Sequence, residues 1–401
     1  MRGSKEKENV LKYKLAYSGI VLLVYIIGKN IPLYGIDLSS YKQVTFRAEE
    51  LLTQTISGDI YRSSVFAVGI FPSMISGLLV QLFLAVRNLF TKTRVPPGKT
   101  RGITVLVTLG IAVLQAAVQV PKLSFAVSKE PLLLIQTIAM LEMVTGAMLI
   151  LWISDRNSRF GVGGRTVFIL VNILERISST FFSHTLEELK IPLLISALEV
   201  VVILIMENKE KRIPVQRISI HNIYADKNYL AVKYNPAGIM PVMFTTAVFI
   251  LPGLFVSLLL SFFPYNPLLI WCQQNLSLAK PFGIMVYLLC EYLLTIGFSM
   301  LMINPKDITE QFLKSGDSIV NLHAGRDTRR YLGKIMRRLS FLSATVMGAC
   351  MVFPLVLQLK GELDSTLVML PSSMMMLAGF SCTLVREMIT LKNYDTCRPL
   401  F

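Results

Sequence analysis

Ten apolar segments in this chain are long enough, or nearly so, to cross a hydrocarbon layer of about 30 Å at about 1.5 Å per residue, and no other feature constrains the fold as tightly. They fall at roughly 15–34, 64–86, 102–121, 131–153, 164–183, 191–207, 239–262, 281–303, 339–358 and 367–391. In hydrocarbon every backbone N–H and C=O must find its partner inside the chain, so such segments fold as helices. The 401 residues are 53% hydrophobic and 16% charged, more apolar surface than a soluble protein of this length could bury. The expected class is therefore an all-α polytopic membrane protein with ten transmembrane helices. The first segment follows a charged stretch and lacks a small-residue cleavage site, which predicts a retained span.

A net charge of +15 could suggest nucleic acid, but its distribution argues for topology. Of the 40 Lys and Arg, 30 fall in the N-terminal tail, the loops after even-numbered spans and the C-terminal tail. That bias is the positive-inside pattern, and it predicts both termini in the cytoplasm of a cell-membrane protein. An odd number of spans in each half, with a division near 184–190, predicts two inverted five-helix halves around a central pore. The halves would be residues 1–183 and 184–401.

Two cytoplasmic loops exceed what a connection needs. The first, 208–237, alternates in the manner of strands through Val215, Ile218 and Ile220 and again through Tyr229, Ala231 and Lys233, which predicts a hairpin with a turn at 226–228. The second, 304–338, predicts a short amphipathic helix near 305–315, a polar stretch holding Gly316 and Gly325, and a basic helix from about Thr328 into the ninth span. On the other side, residues 35–63 hold an amphipathic segment, Ala48 to Ile56, too short to span.

Signs of catalysis are missing: there is no Walker A, HExxH or GxSxG motif, and His184, His221 and His323 have no metal-ligand spacing. The expectation is a protein that is not an enzyme and carries no metal or cofactor. Cys272, Cys290, Cys350, Cys382 and Cys397 read as small buried hydrophobes. Glu142, Arg176, Glu199 and Glu291 lie within spans, where charge is tolerated only against protein or water. They leave open an ion-coupled secondary transporter, although a structural pair of Arg176 with Glu175 or Glu199 accounts for part of the set.

Several stretches resemble the SecY family, the channel subunit of the Sec translocon. They are SGDIYRSSVFAVGIFPSMISGLLVQL (57–82), GKNIPLYGID (28–37), RIPVQ (212–216), KYNPAGIMPVMF (233–244), NPKDITEQFLKSG (304–316) and TRRYLGKIMRRLSF (328–341). GVGGR (161–165) departs from the family's Gly-Asn-Gly, and His323 stands where the family carries an arginine. With the compact loops, these departures make the chain most like the accessory SecY of Gram-positive bacteria; the housekeeping channel is the alternative.

The resemblance implies a channel exporting unfolded polypeptide, a serine-rich glycosylated adhesin in the accessory case, with a SecA-type ATPase motor. A SecE-like small membrane subunit or accessory Sec small proteins would be partners, besides the secreted preprotein and the lipid bilayer; nucleic acid would enter only through ribosome contact. It also implies a pore ring of Ile70, Met74, Phe168, Met240 and Met376, since a collar of flexible apolar side chains can gate by dewetting and reshape around a passing chain. A lateral gate between the second and seventh helices would use Pro72, Ser76, Gln81, Asn235 and Pro241, and a plug would lie near 51–60. Arg212, Arg217, Lys227, His323, Arg326, Arg329 and Arg330 would form the motor-binding loops.

Overall fold

The computed structural model describes residues 10–36, 64–90, 96–125, 131–217, 228–361 and 363–397. The expected plug near 51–60, the 48–56 segment, Lys227 and all but the last residue of the 226–228 turn lie outside these residues, so the hairpin is described only by its strands.

Among the described residues, nine helices are long and apolar enough to cross a membrane, and a tenth carries a shorter apolar stretch, Phe71–Leu84. In chain order they are α1 (Val10–Lys29), α2 (Phe71–Phe90), α3 (Pro97–Gln119), α4 (Leu132–Phe160), α5 (Thr166–Ser183), α6 (Leu186–Asn208) and α7 (Met240–Phe262). A short α8 (Pro267–Asn275) follows, then α9 (Pro281–Met302), α10 (Pro305–Ser315), α11 (Arg326–Leu359) and α12 (Ser365–Cys397). The all-α polytopic expectation holds, and α10 coincides with the predicted amphipathic helix.

Two boundaries move for identifiable reasons. The second span begins at Phe71 and not at 64, because residues 65–70 are turns and Gly69 sits at φ 62, a conformation that L side chains avoid. The ninth begins at Arg326 because the basic helix and the span are one rod, which takes Thr328 in as a fully buried residue whose hydroxyl donates to the His323 carbonyl at 2.8 Å.

The helices pack in two runs. In one, α2 lies on α3, α3 on α4, and α4 on α1, which touches α5. In the other, α7 lies on α9, α9 on α11, and α11 on α12, which takes the most extensive contact with α6. The runs meet along two edges: α5 and α1 against α12, and α2 and α3 against α7.

The two long loops join in a three-stranded sheet ordered β2-β1-β3, with β1 at Glu210–Arg217, β2 at Tyr229–Lys233 and β3 at Asp317–Ile319. Antiparallel pairing sets Arg212 opposite Ala231 and Val215 opposite Ile319. Ile213, Val232 and Ile319 bury one face of the sheet against Leu332, Ile335, Met336 and Leu339 of α11. β3 is unanticipated: three residues are too few to show alternation, and a strand that short exists because β1 offers it a free edge.

The α4–α5 turn, GVGGR, is held from inside. Buried Asn157 donates to the carbonyls of Val162 (3.2 Å) and Gly164 (2.8 Å) and accepts from the Ser18 hydroxyl of α1 at 2.9 Å. A Cβ at Gly161 would stand 2.0 Å from the Asn157 oxygen, and Gly163 and Gly164 have φ 72 and 48, so each of these three glycines answers a steric demand. The Gly163 amide donates to Glu387 of α12 at 3.0 Å, and Arg165 pairs with Asp155 at 3.0 Å, so the turn bridges both runs.

Candidate functional site

At the centre, apolar side chains from nine of the described helices converge. Ile70 immediately precedes α2, Met74 lies in its first turn, Phe168 in the first turn of α5, and Met376 midway along α12; all are between 0 and 3% exposed and belong to one cluster. Tyr25 of α1 meets the Phe168 ring edge-on with centroids 5.0 Å apart, while its hydroxyl donates to Asn172 at 2.9 Å. Four expected ring residues therefore share one buried centre. The fifth, Met240, is 41% exposed and lies outside it. Its neighbours Ile239 and Met243 enter the cluster instead, joined by Phe244 stacked on Phe298 at 5.1 Å. Successive helical residues are turned by about 100°, so one step along the start of α7 exchanges the centre for open space.

The edge between α2 and α7 is a separate, smaller apolar patch. Phe71 and Ile75, both fully buried, pack with Ile111 of α3 and with Ile250, Leu251 and Leu254 of α7. Polar groups on α2 are satisfied away from this edge. Ser73 donates to the Ile70 carbonyl at 2.8 Å, and Ser76 lies 2.6 Å from the Thr108 hydroxyl, which ties α2 to α3. Among the described residues no side-chain hydrogen bond crosses between α2 and α7, so this patch is held by dispersion, and separating its apolar side chains strands no donor or acceptor.

The expected gate residues are thus only partly brought together. Pro72 and Pro241 are buried, yet each is the second residue of its helix, where the missing N–H costs no intrahelical bond. They start α2 and α7 and do not break them; the interior proline is Pro252, beside the seam residues Leu251 and Leu254. Gln81 is exposed, and Asn235 is fully buried elsewhere.

Asn235 anchors a polar clasp at the start of α7. Its amide nitrogen donates to the Gly238 carbonyl (2.9 Å) and to Glu207 at the end of α6 (3.4 Å), while its oxygen accepts from Ser343 of α11 (2.9 Å). Lys233 of β2 and Arg386 of α12 approach the same buried carboxylate at 3.6 and 3.8 Å, and Arg386 also donates to the Glu207 carbonyl. Strand β2, α6, α7, α11 and α12 meet in this clasp, so the sheet is mechanically joined to α7. Sequence reading missed Glu207, Ser343 and Arg386; charges at the ends of apolar runs were the available signal.

Among the charges inside spans, Glu142 accepts from the Tyr34 amide at 3.0 Å, and Glu175 pairs with Lys29 of α1. Lys29 also donates to Asn172 at 3.1 Å. Of the two partners expected for Arg176, Glu175 or Glu199, Glu199 is buried with neither carboxylate oxygen hydrogen-bonded. Cys272, Cys290, Cys350 and Cys382 are unpaired and partly exposed, less buried than anticipated.

The sheet and the start of α11 present the basic surface. Arg212 lies over the Tyr229 ring at 4.7 Å, and His323, Arg326, Arg329 and Arg330 are exposed. Pairing of β1 with β3, Arg217 opposite Asp317, brings the two loops into one platform.

The SecY family profile matches residues 64–385. The chain belongs to the SecY family. It is similar to the accessory Sec system protein translocase subunit SecY2 of Leuconostoc gelidum subsp. gasicomitatum, 27% identical over 98% of this chain and 97% of that one. The SecY2 proteins of Streptococcus agalactiae serotype Ia (27%, covering 95% and 94%) and Streptococcus sanguinis (27%, covering 98% of each) are also similar. In three dimensions the chain superposes on a solved structure described as "The structure of a protein conducting channel", with a TM-score of 0.68 at 16% identity over 97% of this chain and 94% of that one. Sec61 in the canine ribosome-channel complex matches with a TM-score of 0.62, again at 16% identity and covering 97% and 94%. At such identity these structures speak for the fold, that of a SecY-type multi-pass membrane protein.

Proposed function

We propose that this chain is the protein-conducting channel of an accessory Sec translocase. The reading is carried by one observation: Ile70, Met74, Phe168 and Met376, from three helices in both runs, close a single apolar centre beside a seam that, among the described residues, has no cross-seam side-chain hydrogen bond. An apolar collar resists water and ions while offering no specific bond to a passing chain, and an apolar seam releases a hydrophobic segment to lipid at low cost. The similarity to SecY2 proteins supports the accessory branch.

In this reading residues 1–183 and 184–401 are the two halves, hinged where Ser183 ends α5 and the Thr185–Glu188 capping box starts α6. The chain sits in the cytoplasmic membrane with both termini inside. Its platform docks a SecA-type ATPase through Arg212, Arg217, Arg326, Arg329 and Arg330, with Lys227 and His323 alongside, and a SecE-like or accessory small subunit completes the channel. The cargo is a serine-rich glycosylated adhesin.

The test is reconstitution in vesicles with the accessory motor, ATP and a labelled preprotein. Motor-dependent protease protection of the preprotein is expected, and the Arg217→Glu, Arg330→Glu double variant should lose it while still inserting in the membrane. Ion-coupled solute uptake without polypeptide passage would instead favour a transporter using Glu199 and Glu291.

A further inference from the structure

Between Lys233 and Lys280 the chain contains no Asp, Glu, Lys or Arg. This stretch includes α8, which joins α7 to α9 on the face opposite the three-stranded sheet. α8 is a built helix: Pro267 occupies its first turn, and the Asn266 side chain caps it by accepting from the Leu268 amide at 3.0 Å. Yet none of its residues is buried.

Helical spacing sets Leu268 and Trp271 on one side and Gln273 on the other, with Gln274 on the flank, and all four are exposed. The apolar side has a neighbour that shows what covers it. Phe282, Met285, Leu289 and Leu293 recur at helical spacing along α9 and are exposed, as the lipid-facing stripe of a spanning helix must be. The Trp271 ring lies 5.4 Å from that of Phe282, so the stripe continues from the span onto α8. The connection preceding α8 adds Tyr265, 92% exposed.

We propose that α8 is an interfacial anchor that binds phospholipid. Leu268 and Trp271 sit at the boundary of headgroups and acyl chains in the leaflet opposite the sheet, Gln274 lies on the flank at headgroup level, and Gln273 faces water. Tyr and Trp favour this depth because an apolar ring and a polar N–H or O–H are satisfied together there. α8 itself holds no Asp, Glu, Lys or Arg, and Lys280 meets it only at its last residue, donating to Asn275 at 3.5 Å; a charged partner protein would find little to pair with along its exposed apolar side, whereas a lipid surface needs no such group. Since α8 follows α7 after four residues, its depth fixes that end of α7.

The chain has two tryptophans, so the Trp152→Phe variant leaves Trp271 as the sole indole. The full-length variant is reconstituted in phosphatidylcholine–phosphatidylglycerol vesicles whose acyl chains are brominated near the headgroup or near the chain terminus. Trp271 emission should fall at least about twofold with bromine near the headgroup, less with bromine near the terminus, and respond only weakly to aqueous iodide. Absence of bromolipid quenching overturns the proposal; iodide then tells whether α8 lies in water or under protein. Trp152→Tyr replaces the first variant if that does not reconstitute, and Trp271→Phe, leaving exposed Trp152 of α4, is the control for lipid access.

Discussion

Replacing Glu207 by Ala removes the acceptor on which the clasp converges. Its carboxylate is 5% exposed, with Lys233 and Arg386 at 3.6 and 3.8 Å and the Asn235 amide at 3.4 Å. Breaking a buried ion network by deleting one member costs about 3–5 kcal/mol. Lys233 and Arg386 are 38 and 34% exposed and can turn toward water, which discounts the loss to about 2–3 kcal/mol. Asn235→Ala costs about 1–2 kcal/mol, since Ser343 loses its acceptor and Glu207 a donor. Because Glu207 and Asn235 touch, the double variant should lose less than the sum, by about 1 kcal/mol. Equilibrium SDS titration of the full chain, followed by thiol labelling of Cys290 and Cys350, supplies all four free energies. Additivity within about 0.5 kcal/mol would mean that the two residues act independently and would refute the clasp.

Three further outcomes follow from the geometry. Ile70→Gly with Met74→Gly hollows the closed centre and should raise ion conductance across planar bilayers; conductance equal to the parent argues against a collar. Cysteines at Ile75 and Leu251, in a background with the native cysteines replaced, should cross-link under oxidation and stop translocation, with recovery on reduction; export through a fully cross-linked seam would remove the gate from the account. Asn157→Ala removes three bonds and leaves the Gly164 carbonyl without its donor, while Ser18 and Val162 keep each other at 2.8 and 3.3 Å, a loss of about 1–2 kcal/mol in the same SDS titration, and a variant as stable as the parent would show that Asn157 does not hold the turn.

Most of the fold was legible in the sequence because a bilayer enforces it. Spans 239–262 and 281–303 match α7 and α9 to within a residue at each end, and the 305–315 helix matches α10. The alternation at 229–233 likewise showed a strand whose partner is local in sequence. The candidate site was legible only in part. Met240 was expected at the centre, but α7 is apolar on nearly every side, so its sequence contains no periodicity to say which face turns inward. Gln81 and Asn235 were expected to line one seam; Asn235 instead bonds residues 28 positions before it and 108 after it, partners no local pattern can announce.

The sequence by itself determined what the membrane demands: where the apolar spans fall and which loops carry charge, since each follows from hydropathy and charge along one dimension. Only the tertiary structure decided which buried polar groups satisfy one another, which residue of α7 faces the centre, and that three residues after Gly316 complete a sheet. Those choices depend on side chains far apart in sequence arriving at the same point, and an unsatisfied donor or acceptor is costly only once the partners around it are fixed.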